Sequence, residues 1–185
     1  GVGDGAGKLV ANRKPQTMTN LPTLTTPRLT LRQLAMSDVH ALHAWLSDPQ
    51  VMRYWSTLPH TDIKQTEVWV QLSLDAMAKG EAQDFAVLFE GRVIGRVAFW
   101  QGDEIGFFFD PKMQGKGFAA EALRAIAAYG FEILGFTEIR ADVDPDNAAS
   151  LRVLERVGFQ RTGTAEKTFE IGGKWFDSVY LSLRR

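Results

Sequence analysis

Polar and apolar positions alternate with period two along Arg28-Leu29-Thr30-Leu31-Arg32-Gln33-Leu34, directly after Pro27, and predict a strand with one buried face. Ser37-Asp38 then reads as the cap of a helix through Leu42 and Trp45 to Asp48-Pro49. A short helical piece is expected from Gln50 to Trp55. A longer helix should start at Thr61-Asp62, carry Trp69, Leu72, Leu74 and Met77 as an imperfect apolar face, and end at Gly80. Two β-rich runs, Phe85–Phe89 and Val93–Trp100, flank Glu90-Gly91-Arg92, a hairpin signal. A third strand is expected from Asp103 to Phe109. From about Gly117 to Leu134 the period changes to that of a helix, with Leu123, Ile126, Ala127 and Phe131 as its buried stripe.

The remaining quarter repeats these signals. Thr137–Val143 reads as a strand, and Asp146 or Asn147 as the cap of a helix through Leu151 and Leu154 to Val157, closed by Gly158. Two last strands, about Phe159–Glu170 and Trp175–Leu183, flank Gly172-Gly173. The order is strand, two helices, three strands, helix, strand, helix, two strands. It predicts an α/β fold, a mixed sheet with helices on its faces.

Composition narrows the function classes. The chain has 185 residues, 45% of them hydrophobic, enough for one domain with a sizeable core. Its net charge of −1 and the lack of a Lys/Arg cluster argue against a nucleic-acid partner. With no cysteine, disulfides, thiol catalysis and Cys-ligated zinc drop out. The longest apolar candidate, Phe118 to Phe136, is broken by Glu121, Arg124 and Glu132, short of the roughly 20 residues a membrane span needs. A cytoplasmic protein without a membrane partner is expected. His40 and His43 could share a helix face, but no third ligand accompanies them and no metal site is expected.

Residues 1–17 are glycine-rich without apolar period and read as a flexible tail or added leader, with Met18 a natural start and 18–185 the single domain. Their Gly7-Lys8 fails the phosphate-loop pattern, because Val2 stands where its first glycine belongs and Leu9 where its hydroxyl belongs.

The candidate chemistry centres on Gly106-Phe107-Phe108-Phe109-Asp110-Pro111-Lys112-Met113-Gln114-Gly115-Lys116-Gly117-Phe118-Ala119. An apolar strand breaks at Asp110-Pro111, a loop with two glycines follows, and a helix begins. Backbone N–H groups at a helix start, with its partial positive charge, bind phosphate or pyrophosphate. Gly115-x-Gly117-x-x-Ala120 also fits a dinucleotide fingerprint. In that fold, however, the first glycine follows its strand closely, and here Asp110 to Gln114 intervene. A dinucleotide-dependent reductase is therefore the weaker alternative.

Gln114-x-x-Gly117-x-Ala119 in this setting resembles the pyrophosphate loop of the GNAT superfamily of acetyl-CoA-dependent N-acetyltransferases. A second segment, Asn147-Ala148-Ala149-Ser150 through Gly158-Phe159, looks like the N-x-x-S…G-F helix of the branch containing ribosomal-protein N-terminal acetyltransferases (RimJ/RimL-like). Thr26-Pro27-Arg28-Leu29 and Asp48-Pro49-x-Val51 also resemble that branch, so the likeness spans about Leu24 to Leu183. It implies a mostly antiparallel central sheet splayed between two parallel strands, here Asp103–Phe109 and Thr137–Val143, with acetyl-CoA in the opening. Phe107, Phe108 and Phe109 would pair with the pantetheine arm, and an N–H near Phe107 would polarise the thioester. Gln114, Gly115, Lys116, Gly117, Phe118 and Ala119 would hold the pyrophosphate. Asn147 would bond the pantetheine, fix its helix, or do both.

The resemblance also frames the catalytic residues. Where many members carry a proton-donating tyrosine on the last helix, this chain has Leu154; Ser150 matches the serine proposed as acid in the ribosomal-protein branch. Glu104 on the central strand is the leading base, ahead of Glu170, unless water relays the proton. Tyr54, Trp55, Trp175 and Phe176 lie in segments that wall the family's acceptor site, where core packing explains them equally well. The expected activity is acetyl transfer to a primary amine, a protein N-terminus or a small molecule, by a chain expected from family habit to be a homodimer. A non-catalytic acyl-CoA-binding sensor is the alternative that the missing tyrosine leaves open.

Overall fold

In the computed structural model, which describes residues 21–185, β1 (Leu24–Thr25) and β2 (Leu29–Gln33) lead into α1 (Val39–Leu46) and α2 (Ile63–Ala78). Next come β3 (Ala82–Phe89), β4 (Arg92–Trp100), β5 (Glu104–Phe109) and α3 (Phe118–Glu132). The chain closes with β6 (Glu138–Val143), α4 (Ala148–Val157), β7 (Gln160–Ile171) and β8 (Lys174–Arg184). Short turns join four of the seven strand pairs, β1–β2, β3–β4, β4–β5 and β7–β8 in chain order, and helices or longer crossings join the rest. Glu90 and Gly91 both adopt positive φ, the signature of a tight two-residue hairpin, and set the register Phe89↔Arg92 and Leu88↔Val93, which a bulge between Val87 and Leu88 shifts by one residue for the pairs from Val87↔Gly95 to Ala82↔Trp100. The glycine-rich residues 1–17 and Met18 lie outside the described residues.

One eight-stranded sheet results, in the order β1-β2-β3-β4-β5-β6-β8-β7. All neighbours are antiparallel except β5 and β6. Each face of the sheet carries its own core. Phe85, Val97, Phe99, Ile139 and Leu181 pack with α3 and α4 residues such as Leu123, Ile126 and Leu154. On the other face Leu42, Trp45, Leu46, Val70 and Met77 pack over Ala86 and Phe108. Gly95 lets β4 and β5 approach, since a Cβ there would lie 2.4 Å from Phe109 Cδ1 and 2.7 Å from the Phe108 carbonyl oxygen.

Two local expectations need correction. Asp38 does not cap α1 with its side chain. Its buried carboxylate instead takes both terminal nitrogens of Arg32, at 2.9 and 2.8 Å, and the N–H of Ala35. The inner face of α2 is not the expected apolar row either. Leu72 is exposed and Trp69 and Leu74 half-buried, while Thr66 and Ser73 are buried. Those two hydroxyls are tolerated inside because each is hydrogen-bonded, Thr66 to His43 and His60 and Ser73 to Asp84.

Candidate active site

The parallel strands β5 and β6 touch at a single register pair, Glu104↔Arg140, where the Arg140 N–H donates to the Asp103 carbonyl at 3.0 Å. Beyond it they diverge toward their C-terminal ends. Which backbone groups face the gap follows from the other edge of β5. Asp110 N–H bonds Ile94 on β4, so in antiparallel alternation Phe108 and Gly106 also turn their N–H and C=O to β4. Phe107 and Phe109 therefore turn theirs into the gap. Of the three phenylalanines expected there, two offer backbone groups. Phe108 instead seats its ring among Trp45, Trp55 and Trp69, with centroids 6.1, 5.3 and 6.2 Å away.

The start of α3 lies at the open end of the gap. Asp110 caps a 3-10 turn at Pro111–Met113 by accepting from Lys112 N–H at 3.0 Å. Gly117, at φ 80°, takes the left-handed conformation that enters α3. The first helical bond runs from Glu121 N–H to the Gly117 carbonyl, and no partner among the described residues takes the N–H groups of Gly115, Lys116, Gly117, Phe118, Ala119 and Ala120. Six consecutive amides are thus left for an anion. The loop is braced from behind. Arg28 Nε donates to Glu121 at 2.8 Å and Nη1 to the Lys116 carbonyl at 2.9 Å, and its guanidinium lies 4.4 Å from the Phe118 ring centroid. Burial pushes the Glu121 carboxyl up, but hydrogen bonds from Thr26 and from the Arg28 side chain and backbone outweigh it and hold its pKa below the ordinary range. A hollow of about 550 Å³ beside Gly117 is lined by Arg28, Arg124 and Arg156.

From the β6 side, α4 brings its own N-terminus to the same opening. Asn147 caps it, its Oδ1 accepting from Ser150 N–H at 3.2 Å, which leaves the amide nitrogen of Asn147 and the hydroxyl of Ser150 for a ligand. Leu154, on the next turn, is fully buried in the core.

The face of β5 and β6 turned toward α1 and α2 carries the polar groups, because Ile105, Phe109, Ile139, Ala141 and Val143 fill the opposite core. Glu104 stands here at the closed end of the gap. Partial burial raises its pKa, reinforced by Asp142 and Asp103 and opposed by Arg140. Arg140 itself donates to Asp103 at 2.8 Å. Trp55 meets Phe108 edge-on, and Tyr54 lies under Arg53, 5.1 Å from its guanidinium to the ring centroid. The β7–β8 hairpin closes toward the same loop, for a Cβ on Gly172 would lie 3.6 Å from Leu58. Trp175 is 52% exposed there, opposite the exposed Glu170 in register, while Phe176 stacks on Phe169 at 5.3 Å. His40 is exposed, and His43 bonds Thr66.

Sequence reasoning missed four participants. Arg28 with Glu121 became visible only when β2 was placed beside α3. Asp142 was hidden in an alternating strand. Arg96, buried on β4, carried a signal: a cation in the otherwise apolar run Val93–Phe99, with Asp84 near its mirror position across the hairpin.

Known proteins align with this geometry. The family described as "Acetyltransferase (GNAT) domain" matches residues 28–160. An uncharacterized N-acetyltransferase, p20, of Bacillus licheniformis is 33% identical over 171 residues, covering 88% of this chain and 96% of its own. Spermidine N-acetyltransferase from Vibrio cholerae, solved with CoA and spermine, is similar at 25% identity and TM-score 0.76 over 86% of this chain and 96% of its own. The Salmonella typhimurium acetyltransferase that modifies the N-terminal serine of ribosomal protein L7/L12 shares the fold, at TM-score 0.82 and 20% identity over 89% and 99%.

Proposed function

This chain belongs to the GNAT acetyltransferase family, and from that premise we propose how its own residues transfer acetyl from acetyl-CoA to a primary amine. The observation that carries the reading is the divergence of β5 from β6 immediately beside six unpaired amides at the start of α3. A pantetheine arm suits the gap, because Phe107 and Phe109 present the donors and acceptors of a strand edge. The pyrophosphate suits the amides of Gly115 to Ala120, with the helix start supplying partial positive charge. Gln114 shapes the entry to that loop, and the Asn147 amide nitrogen faces the arm from α4.

In the transfer the amine lone pair forms a C–N bond to the acetyl carbon, and negative charge gathers on the thioester oxygen. Phe107 N–H donates to that oxygen. As the C–S bond breaks, the thiolate of CoA takes a proton, for which Ser150 Oγ is the donor. The amine gives up a proton to Glu104, whose raised pKa suits a base working near neutral pH. Water carries that proton from Glu104 back to Ser150, so both groups are restored and the products are the N-acetyl amine and CoA. Tyr54, Trp55 and the end of the β7–β8 hairpin, with Trp175 and Phe176, wall the acceptor side. The acceptor itself is a small-molecule amine or a protein N-terminus, and the homodimer implied by the resemblance and the cytoplasmic location expected from the composition belong to the same proposal.

Thiol release from acetyl-CoA, measured across a panel of amines, tests the reading. Saturable release that depends on the amine and falls in Ser150→Ala and Glu104→Gln supports it. Tight acetyl-CoA binding with no release on any amine would instead mark an acyl-CoA sensor. Light scattering reads the dimer.

A further inference from the structure

Arg96 sits in the middle of β4 at 5% exposure. Its Nε and Nη2 each donate to Asp84 at 2.8 Å, and Ser73 Oγ donates to the same fully buried carboxylate. The third nitrogen is left over. Nη1 has no hydrogen-bond partner among the described residues, and it keeps a thread of solvent contact, since no enclosed side-chain polar atom there lacks a partner. It points at Gly106, lying 3.9 Å from where a Cβ would stand. Around the guanidinium are the rings of Trp69, Trp55 and Phe108, at 4.9, 5.8 and 6.0 Å.

Asp84 already balances the charge of Arg96, so pairing alone gives no reason to aim a charged donor at the surface of β5. Gly106 leaves that surface bare without steric need, because 3.9 Å is ordinary contact for a methyl group. The next residue is Phe107, whose N–H faces the gap. Nη1 therefore opens beside the place where the thioester carbonyl would lie. Glu104, two residues back on the same face, and Asp142 across the gap supply negative charge.

A charged donor on the same face of the sheet as the carboxylates of Glu104 and Asp142 complements an amine whose neighbouring carbon carries an oxygen acceptor. We propose that Arg96 sets acceptor specificity, with Nη1 donating to a carboxylate or carbonyl oxygen attached to the carbon that bears the reacting amine. The acceptors are then α-amino acids or peptide N-termini. Alkyl polyamines are disfavoured, because they leave Nη1 unmet and bring further cations toward it. The inference rests on the acetyltransferase reading and deepens it.

Thiol release is measured with alanine, dialanine, spermidine and isopropylamine, the last being alanine with its carboxylate replaced by methyl. Each kcat/KM is referred to the neutral amine, since peptide amines titrate near 8 and alkyl amines about two units higher. Alanine or dialanine should exceed isopropylamine by about 10- to 100-fold, the worth of one charge-assisted hydrogen bond. A lead for alanine identifies the carboxylate, and equal rates the carbonyl. In Arg96→Met/Asp84→Asn, which removes both buried charges together, the ratio should fall to within about threefold, with thermal unfolding and acetyl-CoA affinity reporting that the protein is folded. If that variant fails to fold, the wild-type ratio still decides. A wild-type ratio near one, a faster rate with spermidine, or a ratio that survives in the folded double variant overturns the inference. Turnover of no amine removes the acetyltransferase reading as well, whereas turnover without preference removes this inference alone.

Discussion

Replacing Arg28 by alanine should weaken acetyl-CoA binding more than it weakens the fold. Arg28 touches no part of the gap, yet it holds the anion loop by its Lys116 carbonyl, stacks on Phe118 and neutralises Glu121 in the first turn of α3. Its side chain is 43% exposed, so the ion pair counts for little, about 0–1 kcal/mol. The backbone hydrogen bond adds about 1 kcal/mol and the stacking about 0.5 kcal/mol. A total near 1.5–2.5 kcal/mol lowers Tm by about 3–10 °C in a chain of this size. Acetyl-CoA loses twice. The loop spends less time in its binding conformation, and the freed Glu121 carboxylate repels the pyrophosphate by about 0.5–1 kcal/mol per phosphate charge in a solvated setting. KM for acetyl-CoA should rise at least about tenfold while kcat changes little. Adding Glu121→Gln should recover part of the loss, because it removes the repulsion and leaves the missing brace. Steady-state kinetics of the single and double variants, with Tm measured beside them, separate these effects. A KM within about twofold of wild type in a variant whose Tm has dropped would refute the reasoning, as would a double variant worse than Arg28→Ala.

Three further perturbations have defined outcomes. Gly95→Ala drives a methyl into Phe109 and the Phe108 carbonyl and should destabilise by about 1–3 kcal/mol in urea unfolding; a neutral result would mean that β4 and β5 separate freely. Glu104→Gln should lower kcat about 100-fold at neutral pH and abolish the acidic limb of the pH–rate profile, whereas a retained limb would assign the proton to water or another group. His60 has its pKa depressed by burial and then by His43, so the folded state disfavours its protonated form. Its stabilising contribution is fully present above the ordinary histidine value of about 6.5 and is lost as pH falls through the lower folded value, and the Tm of Thr66→Val should show a different slope across that window.

The elements that could be read from the chain are those whose cause is local. Glu90-Gly91 and Gly172-Gly173 mark hairpins because their backbones must turn there, and the α3 stripe Leu123, Ile126, Ala127 repeats with the helix period. The anion loop was legible for the same reason, since Gly117 needs positive φ and the amides after it need no side chain. What stayed hidden depends on distant partners. The face of α2 was misjudged because Thr66 and Ser73 are buried by hydrogen bonds to His43, His60 and Asp84, which no period reports. Phe108 was grouped with Phe107 and Phe109 until the Asp110–Ile94 bond fixed which residues of β5 face the gap.

This division between local and distant causes tracks the division of labour in the proposed site. The donor side is built from backbone: two residues of a strand edge and six amides at a helix start, all within one stretch of chain, Phe107 to Ala120. Side-chain substitution leaves such groups in place. The acceptor side is assembled from side chains that β4, β5, β6 and the loop around Trp55 bring together, and each can change alone without disturbing the amides. Two proteins of this fold can therefore keep one donor and take unlike acceptors, as a spermine complex and a ribosomal-protein serine acetyltransferase do. For this chain the discriminating group must be sought among side chains on the α1–α2 face. There Arg96 combines a buried charge, a fixed orientation set by Asp84 and a donor, without a partner among the described residues, directed at Gly106.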